Sequence, residues 1–401
     1  MTKLLVSASP HIRADESIPL IMWKVVLALL PAGMWGVYIF GMKALLLIAI
    51  SVATAVGVEL VLQKLRGLKS TIGDGSAVVT GLLLAYVISP GVPWYVPMIG
   101  SAFAIAVVKI AFGGLGMNFL NPALAGRAFV MSAYMVFMTA SWIYPGQRMV
   151  IGEVRRGGDV LKAAPDMSTA PAWQRVLTRI FGGEAGPDAT TAPTRKIADD
   201  VFATTTATPR TAVKNELVAA KDPNWEPWKT VNTPGSKPAD WLNRVYERNK
   251  TSRIDLFIGT RGGCIGETGS LWLILCGLFL LYLRVIYWEV PVFFIATTVL
   301  LEWALPVKFP GGTAWFAGDP VFAALSGGLI LGAVFMATDM VTSPVTRRGM
   351  VIFAVGCGVL TAIIRLYGGY PEGVCYAILI MNIVVPMIDR YVKPRKYGAA
   401  A

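Results

Sequence analysis

Long apolar stretches separated by short polar connections dominate the chain, and their lengths set its class. Residues 18–40 and 44–62 are continuous apolar runs, 75–89 is shorter and opens on glycines, and 94–112 and 122–142 complete a first group of five. A polar interval of more than a hundred residues follows, after which 271–288, 290–307, 320–340, 350–367 and 374–391 make a second five. Most of these runs approach the roughly 20 residues that a helix needs to cross a bilayer. The pattern predicts an all-α polytopic membrane protein of about ten transmembrane helices. It divides into an N-terminal segment 1–17, a first five-helix membrane repeat 18–142, a polar segment 143–267, a second five-helix repeat 268–392 and a tail 393–401.

Two groups with an odd number of spans point in opposite directions, which predicts an inverted internal repeat. The stretch GDGSAVVTGLLL at Gly73 matches GDPVFAALSGGLIL at Gly318, and GSAFAIAVVKIAFGG at Gly100 matches GCGVLTAIIRLYGG at Gly356. In the second pair a cation, Lys109 or Arg365, ends the span just before two glycines. Gly-rich apolar segments also resemble one another by composition alone. If the repeat holds, the third and eighth spans are broken helices, whose open backbone is tolerated only where it lines a cavity.

Composition agrees with this class. Hydrophobic residues make up 55% of the 401 and charged residues only 15%, against about 25% charged in soluble domains; the mean hydropathy is +0.59. The net charge of +12 does not imply nucleic acid, because the cations sit between apolar spans and in the polar segment. Lys64, Arg66 and Lys69 follow span two, Arg347 and Arg348 follow span eight, and Arg390, Lys393, Arg395 and Lys396 follow span ten, whereas the alternate connections hold little beyond Lys43 and Lys308. That asymmetry puts both termini in the cytoplasm and the polar segment outside. The N-terminus is polar with only a short apolar run, which predicts no cleavable signal peptide.

Candidate chemistry is sparse. Cys264, Cys276, Cys357 and Cys375 lack metal or disulfide spacing and read as small buried hydrophobes, and the single histidine, His11, precedes the first span. No metal site or catalytic residue is predicted. With one His and scattered Cys there is little to hold haem or an iron–sulfur cluster, so a redox cofactor here would be organic. Asp74, Asp319, Asp339 and Glu372 lie at or near span ends and stand as ion-path candidates, with helix capping as the alternative; Asp389 reads as an interfacial cap. Two Gly-rich stretches, GGLGMNFLNPALAGRAF (residues 113–129) and GTRGGCIGETGS (259–270), bring backbone close to a ligand or to other helices. Asn121 is placed to cap a helix that begins at Pro122. Arg127, Arg261 and Thr268 are the polar side chains of these turns.

Together LLVSASPHIR, DGSAVVTGLLLA, GGLGMNFLNPALAGRAF, GGCIGETGSLWLILCG, GAVFMATDMVTSPVT and RLYGGYPEGVCYAILIMN resemble the RnfD family, which comprises a membrane subunit of the Rnf complex and its counterpart in the sodium-pumping NADH:quinone reductase. The resemblance covers nearly all the spans and is weakest over 143–199 and 221–254. It implies a urea-transporter-like membrane architecture and a threonine that carries FMN through a phosphoester, attached outside the membrane by a flavin transferase. The matching stretch is Thr205, Thr206, Ala207 and Thr208, followed by Pro209, which makes Thr208 the acceptor. Thr206 stands where glycine is common, so Thr205, Thr206 and Thr211 are lesser candidates. Read from composition alone, FATTTATPRTAV is a solvated threonine-rich loop.

The resemblance further implies a subunit that passes electrons between reduced ferredoxin and NAD, coupled to Na+ or H+ transport. Its implied partners are a second FMN-bearing subunit, iron–sulfur subunits and membrane lipid, and a second, non-covalent flavin such as riboflavin is an open expectation. Arg127 and Arg261 are the expected neighbours of the covalent flavin. The short leader ahead of span one and LLVSASPHIR favour the Rnf side of the family over the quinone reductase. A passive channel or solute transporter with an inert threonine loop is the alternative.

Overall fold

The computed structural model describes residues 17–67, 70–141, 253–260, 262–309, 312–368 and 372–393. His11, Thr205, Thr206, Ala207, Thr208 and Arg261 lie outside them. The described chain is helical apart from one short antiparallel hairpin, β1 (Val307–Phe309) and β2 (Gly312–Ala314), which the all-α expectation lacked.

Among the described residues, four helices are long and apolar enough to cross a membrane: α1 (Ile18–Phe40), α2 (Met42–Leu65), α12 (Arg347–Tyr367) and α13 (Val374–Tyr391). Between them run shorter pieces: α3 (Ser76–Tyr86), α4 (Tyr95–Phe103) continuing as π-helical Ala104–Ile110, α5 (Pro122–Ala133), α6 (Met135–Ala140), α7 (Arg253–Ile258), α8 (Ser270–Tyr282), α9 (Glu289–Ala304), α10 (Pro320–Leu325) and α11 (Leu329–Leu331), which passes into π-helical Gly332–Met336. Several expected spans are therefore interrupted. The third stops after eleven residues. The eighth breaks at Ser326–Gly328, where Gly327 takes φ +74°, a left-handed value that only glycine adopts freely. The sixth ends at Tyr282 because Arg284 turns the backbone into the left-handed region (φ 55°), and the fifth breaks at Tyr134 between α5 and α6.

The connections gather at two opposite faces. At one, Lys43 donates to Gly91 O (2.8 Å), the Ser89 hydroxyl donates to Ser141 O, and Arg253 pairs with Asp319 at 3.3 Å. At the other, Arg66 donates to Ile110 O (2.7 Å), and 345–346 bond to Asp389 and Val392 at 3.2 and 3.3 Å. One continuous apolar core, from Val26 and Leu29 through Leu84 and Phe294 to Phe353 and Ile378, joins the N-terminal and C-terminal helices.

Candidate functional site: buried charges where the two halves meet

Apolar helices that carry charge inward must pair it, because an isolated ion in a low-dielectric interior costs several kcal/mol. Among the described residues, each half holds one pair with both members buried. In the first, Glu59 of α2 accepts from Lys109 Nζ (2.7 Å to Oε2), and its Oε1 also accepts from Gln63 (3.0 Å) and Thr71 (3.2 Å). Lys109 donates further to Ser76 Oγ (2.6 Å) at the start of α3. In the second, Glu302 of α9 pairs with Arg365 of α12 at 2.9 Å, and Arg365 donates to the carbonyls of Ala323 and Ser326 (both 3.2 Å) beside the break after α10. The two cations are those that end matching spans in the sequence, and each tethers a broken helix to its neighbours.

A third cluster lies between the halves. Arg127 of α5 faces Glu372, just ahead of α13, with Nη2 3.3 Å from Oε2. Glu372 Oε1 accepts the Gly328 N–H at 3.2 Å. Glu267, 4% exposed, approaches the same point from the segment ahead of α8. Its Oε1 accepts the Cys264 N–H (3.4 Å), its Oε2 and Glu372 Oε2 converge beside Gly328, and among the described residues its Oε2 has no donor.

The glycines of this region serve close packing. Ile265 N–H and Gly266 N–H donate to Ile88 O (3.1 Å) and Tyr86 O (3.0 Å), so the segment ahead of α8 clings to the end of α3. A side chain on Gly266 would collide with the Tyr86 ring, whose hydroxyl donates to Leu29 O at 2.9 Å. Asn121 caps α5 as its sequence implies, accepting from Ala123 N and Leu124 N (3.0 and 3.3 Å). Its own amide donates to Met336 O (3.2 Å), which links the start of α5 to the π-helical end of the second half.

The remaining site residues named from sequence occupy separate places. Asp319 caps α10 through the Val321 and Phe322 N–H groups (2.9 and 3.2 Å). Asp74 accepts from Ser76 N–H (2.8 Å) and Oγ (2.5 Å) at the matching start of α3. Asp339 accepts from Thr342 Oγ1 (3.0 Å) and helps line a cavity of about 80 Å³ together with Lys109, Asn118, Asn121 and Thr338. All four cysteines are buried and free. Sequence reasoning missed Glu59, Glu302 and Glu267. For the first two the signal was present, a lone acid inside an apolar run; Glu267 was hidden in a Gly-rich turn.

Interrupted apolar helices around buried charges define a helical membrane protein with a charged interior. The chain matches the NQR2, RnfD, RnfE family over residues 5–398, and it belongs to that family. Three relatives are each the subunit designated D of their complex. The chain is 40% identical over 393 residues to that of the proton-translocating ferredoxin:NAD(+) oxidoreductase complex of Clostridium ljungdahlii, covering 98% of this chain and 96% of that one. It is 39% identical over 397 residues to the Na(+)-translocating counterpart of Acetobacterium woodii, covering 98% and 95%. The corresponding protein of the ion-translocating oxidoreductase complex of Stutzerimonas stutzeri is 36% identical over 388 residues, covering 96% and 94%.

Proposed function

We propose that the chain is the flavin-bearing membrane subunit of an ion-translocating ferredoxin:NAD+ oxidoreductase complex, with FMN joined as a phosphoester to Thr208. The observation that carries this reading is the stretch 205–209, a threonine motif in the long polar segment of a chain from this family. Bound there, FMN supplies reversible electron transfer, while the protein contributes position and electrostatics. The geometry fits a segment that leaves the membrane and returns. Ser141, the last described residue before it, is held by Ser89, and Arg253 of α7, just after it, pairs with Asp319, so both ends meet the same face.

That face carries Lys43, and the opposite face carries Arg66, Arg347 and Arg390. In this reading the cation-rich face is cytoplasmic, and the flavin and its transferase work outside. The matched cation pairs, Glu59–Lys109 and Glu302–Arg365, and the matched acids, Asp74 and Asp319, support an inverted repeat of five plus five spans. Arg261 is the retained candidate neighbour of the flavin phosphate; Arg127 would reach it only by leaving Glu372. Glu372 and Asp339 remain candidates for the ion path. The relatives' names divide between proton and sodium at nearly equal identity, so the coupled ion is taken as one monovalent cation.

The test is expression with the flavin transferase, followed by denaturing electrophoresis and in-gel flavin fluorescence. Fluorescence is expected in the unmutated chain and in Thr206→Ala and is expected to vanish in Thr208→Ala. Fluorescence that survives Thr208→Ala moves the site to a neighbouring threonine. Its absence from the unmutated chain with transferase present favours the passive-channel reading.

A further inference from the structure

Around Gly328 the interior holds three carboxylates, Glu267, Glu372 and Glu302, against two guanidiniums, Arg127 and Arg365. Ionised throughout, the group carries one excess negative charge. Arg365 is bound to Glu302 (2.9 Å) and Arg127 to Glu372 (3.3 Å), so the excess falls on Glu267. Its Oε2 is buried and has no donor among the described residues, and beside Gly328 it meets the carboxyl of Glu372, which offers only acceptor oxygens when ionised. Two carboxylates in that arrangement do not both stay ionised without a cation between them.

The backbone brings the two acids together. The point that a methyl group on Gly328 would occupy lies 2.9 Å from Glu267 Oε2 and 3.5 Å from Glu372 Oε2. A side chain on Gly327 would strike Glu372 Oε1 and come within 3.3 Å of Arg365 Nη2. The glycines at the break between α10 and α11 thus let both acids approach the backbone at one point, where elements of both halves meet. The nearby thiols, Cys264 and Cys375, are buried, and Cys375 Sγ is 3.4 Å from Leu124 O.

We infer that Glu267 and Glu372 form a single-occupancy site for one monovalent cation, a proton or a sodium ion, whose arrival and departure switch the cluster between neutral and singly negative. Arg127 fixes Glu372 as the ionised partner, and Glu267 is the group that takes up and releases the cation. The site deepens the reading of the chain as a subunit of an ion-translocating complex and rests on it for a purpose. Its test reads occupancy without electron transfer, so failure here leaves the flavin on Thr208 untouched.

The experiment is infrared difference spectroscopy of the purified whole complex, comparing low with high pH and, at fixed pH, sodium chloride with its absence. The expected signal is one carbonyl band from a protonated buried carboxyl that disappears as the site empties or exchanges. A band that responds to pH and ignores sodium assigns the proton as occupant, and one displaced by sodium at fixed pH assigns the metal ion. Glu267→Gln removes the band, because the remaining Glu372 stays ionised against Arg127. Gly328→Ala keeps both acids but presses a methyl group against Glu267 Oε2 and Glu372 Oε2, and it is expected to shift the midpoint by about one pH unit, or about tenfold in sodium concentration. This second variant carries the test if Glu267→Gln fails to assemble. No band in the unmutated complex, an undiminished band in Glu267→Gln, or an unmoved midpoint in Gly328→Ala overturns the site.

Discussion

Glu59 of α2 and Glu267 ahead of α8 are both carboxylates taken out of water, 1% and 4% exposed, yet their oxygens meet different surroundings. Both oxygens of Glu59 accept from Lys109, and Gln63 and Thr71 add two further donors to Oε1. Among the described residues, Glu267 has one long bond from a backbone N–H, a second carboxyl beside it at Gly328 and an oxygen with no donor. A buried charge that is fully paired gains nothing by moving and holds helices in register. A buried acid that lacks a donor is stable only when something else arrives. The same residue type therefore serves architecture in one place and exchange in the other, and the number of donors decides which.

The largest expected effect breaks the first side of this comparison. Lys109→Met leaves Glu59 buried without its cation, and by analogy with other broken buried pairs it costs about 3–5 kcal/mol. This should appear as strongly reduced recovery of assembled complex and a lower melting temperature. Adding Glu59→Gln, which removes the stranded charge and keeps an acceptor for Gln63 and Thr71, restores most of that loss. A single Lys109→Met variant as stable as the unmutated chain would mean that the pair is not holding α2, α3 and α4 together.

A smaller effect sharpens the other side. Asn121→Ala removes the cap of α5, the helix that carries Arg127 toward Glu372, and costs about 1 kcal/mol. Thermal unfolding of the complex reads the difference. A loss far above this value would show that the Asn121 contact with Met336 O, rather than the cap, is what matters.

Much of the architecture is legible in the chain because periodicity and length report it directly. The four long helices fall at apolar runs, and Asn121–Pro122 marks a helix start by local chemistry. Glycines at 327 and 328 mark the break in the eighth span. Lys109 and Arg365 stand out as cations inside apolar runs. What they pair with is not legible, since Glu59 lies fifty residues from Lys109 and Glu302 sixty-three from Arg365. Helix ends were also hidden where tertiary contacts set them, as at Arg284, whose left-handed turn ends α8 well before the apolar run does. Glu267 carried no sequence signal because a single acid in a Gly-rich turn reads as an exposed loop residue. Only the approach of Glu372 and Gly328 from the other half gives it a role.

The most direct measurement compares ion pumping after neutralising the paired acid Glu59, together with Lys109, and the acid Glu267, in sealed vesicles that contain the whole complex, driven by reduced ferredoxin and NAD+. The Glu59→Gln, Lys109→Met double variant is predicted to build a proton or sodium gradient at a rate within about twofold of the unmutated complex, since its charges are structural and leave together. The Glu267→Gln variant, which leaves Glu372 paired with Arg127, is predicted to build none. A gradient of normal size in the second variant would contradict the account, because the ion would then cross without using the unpaired acid.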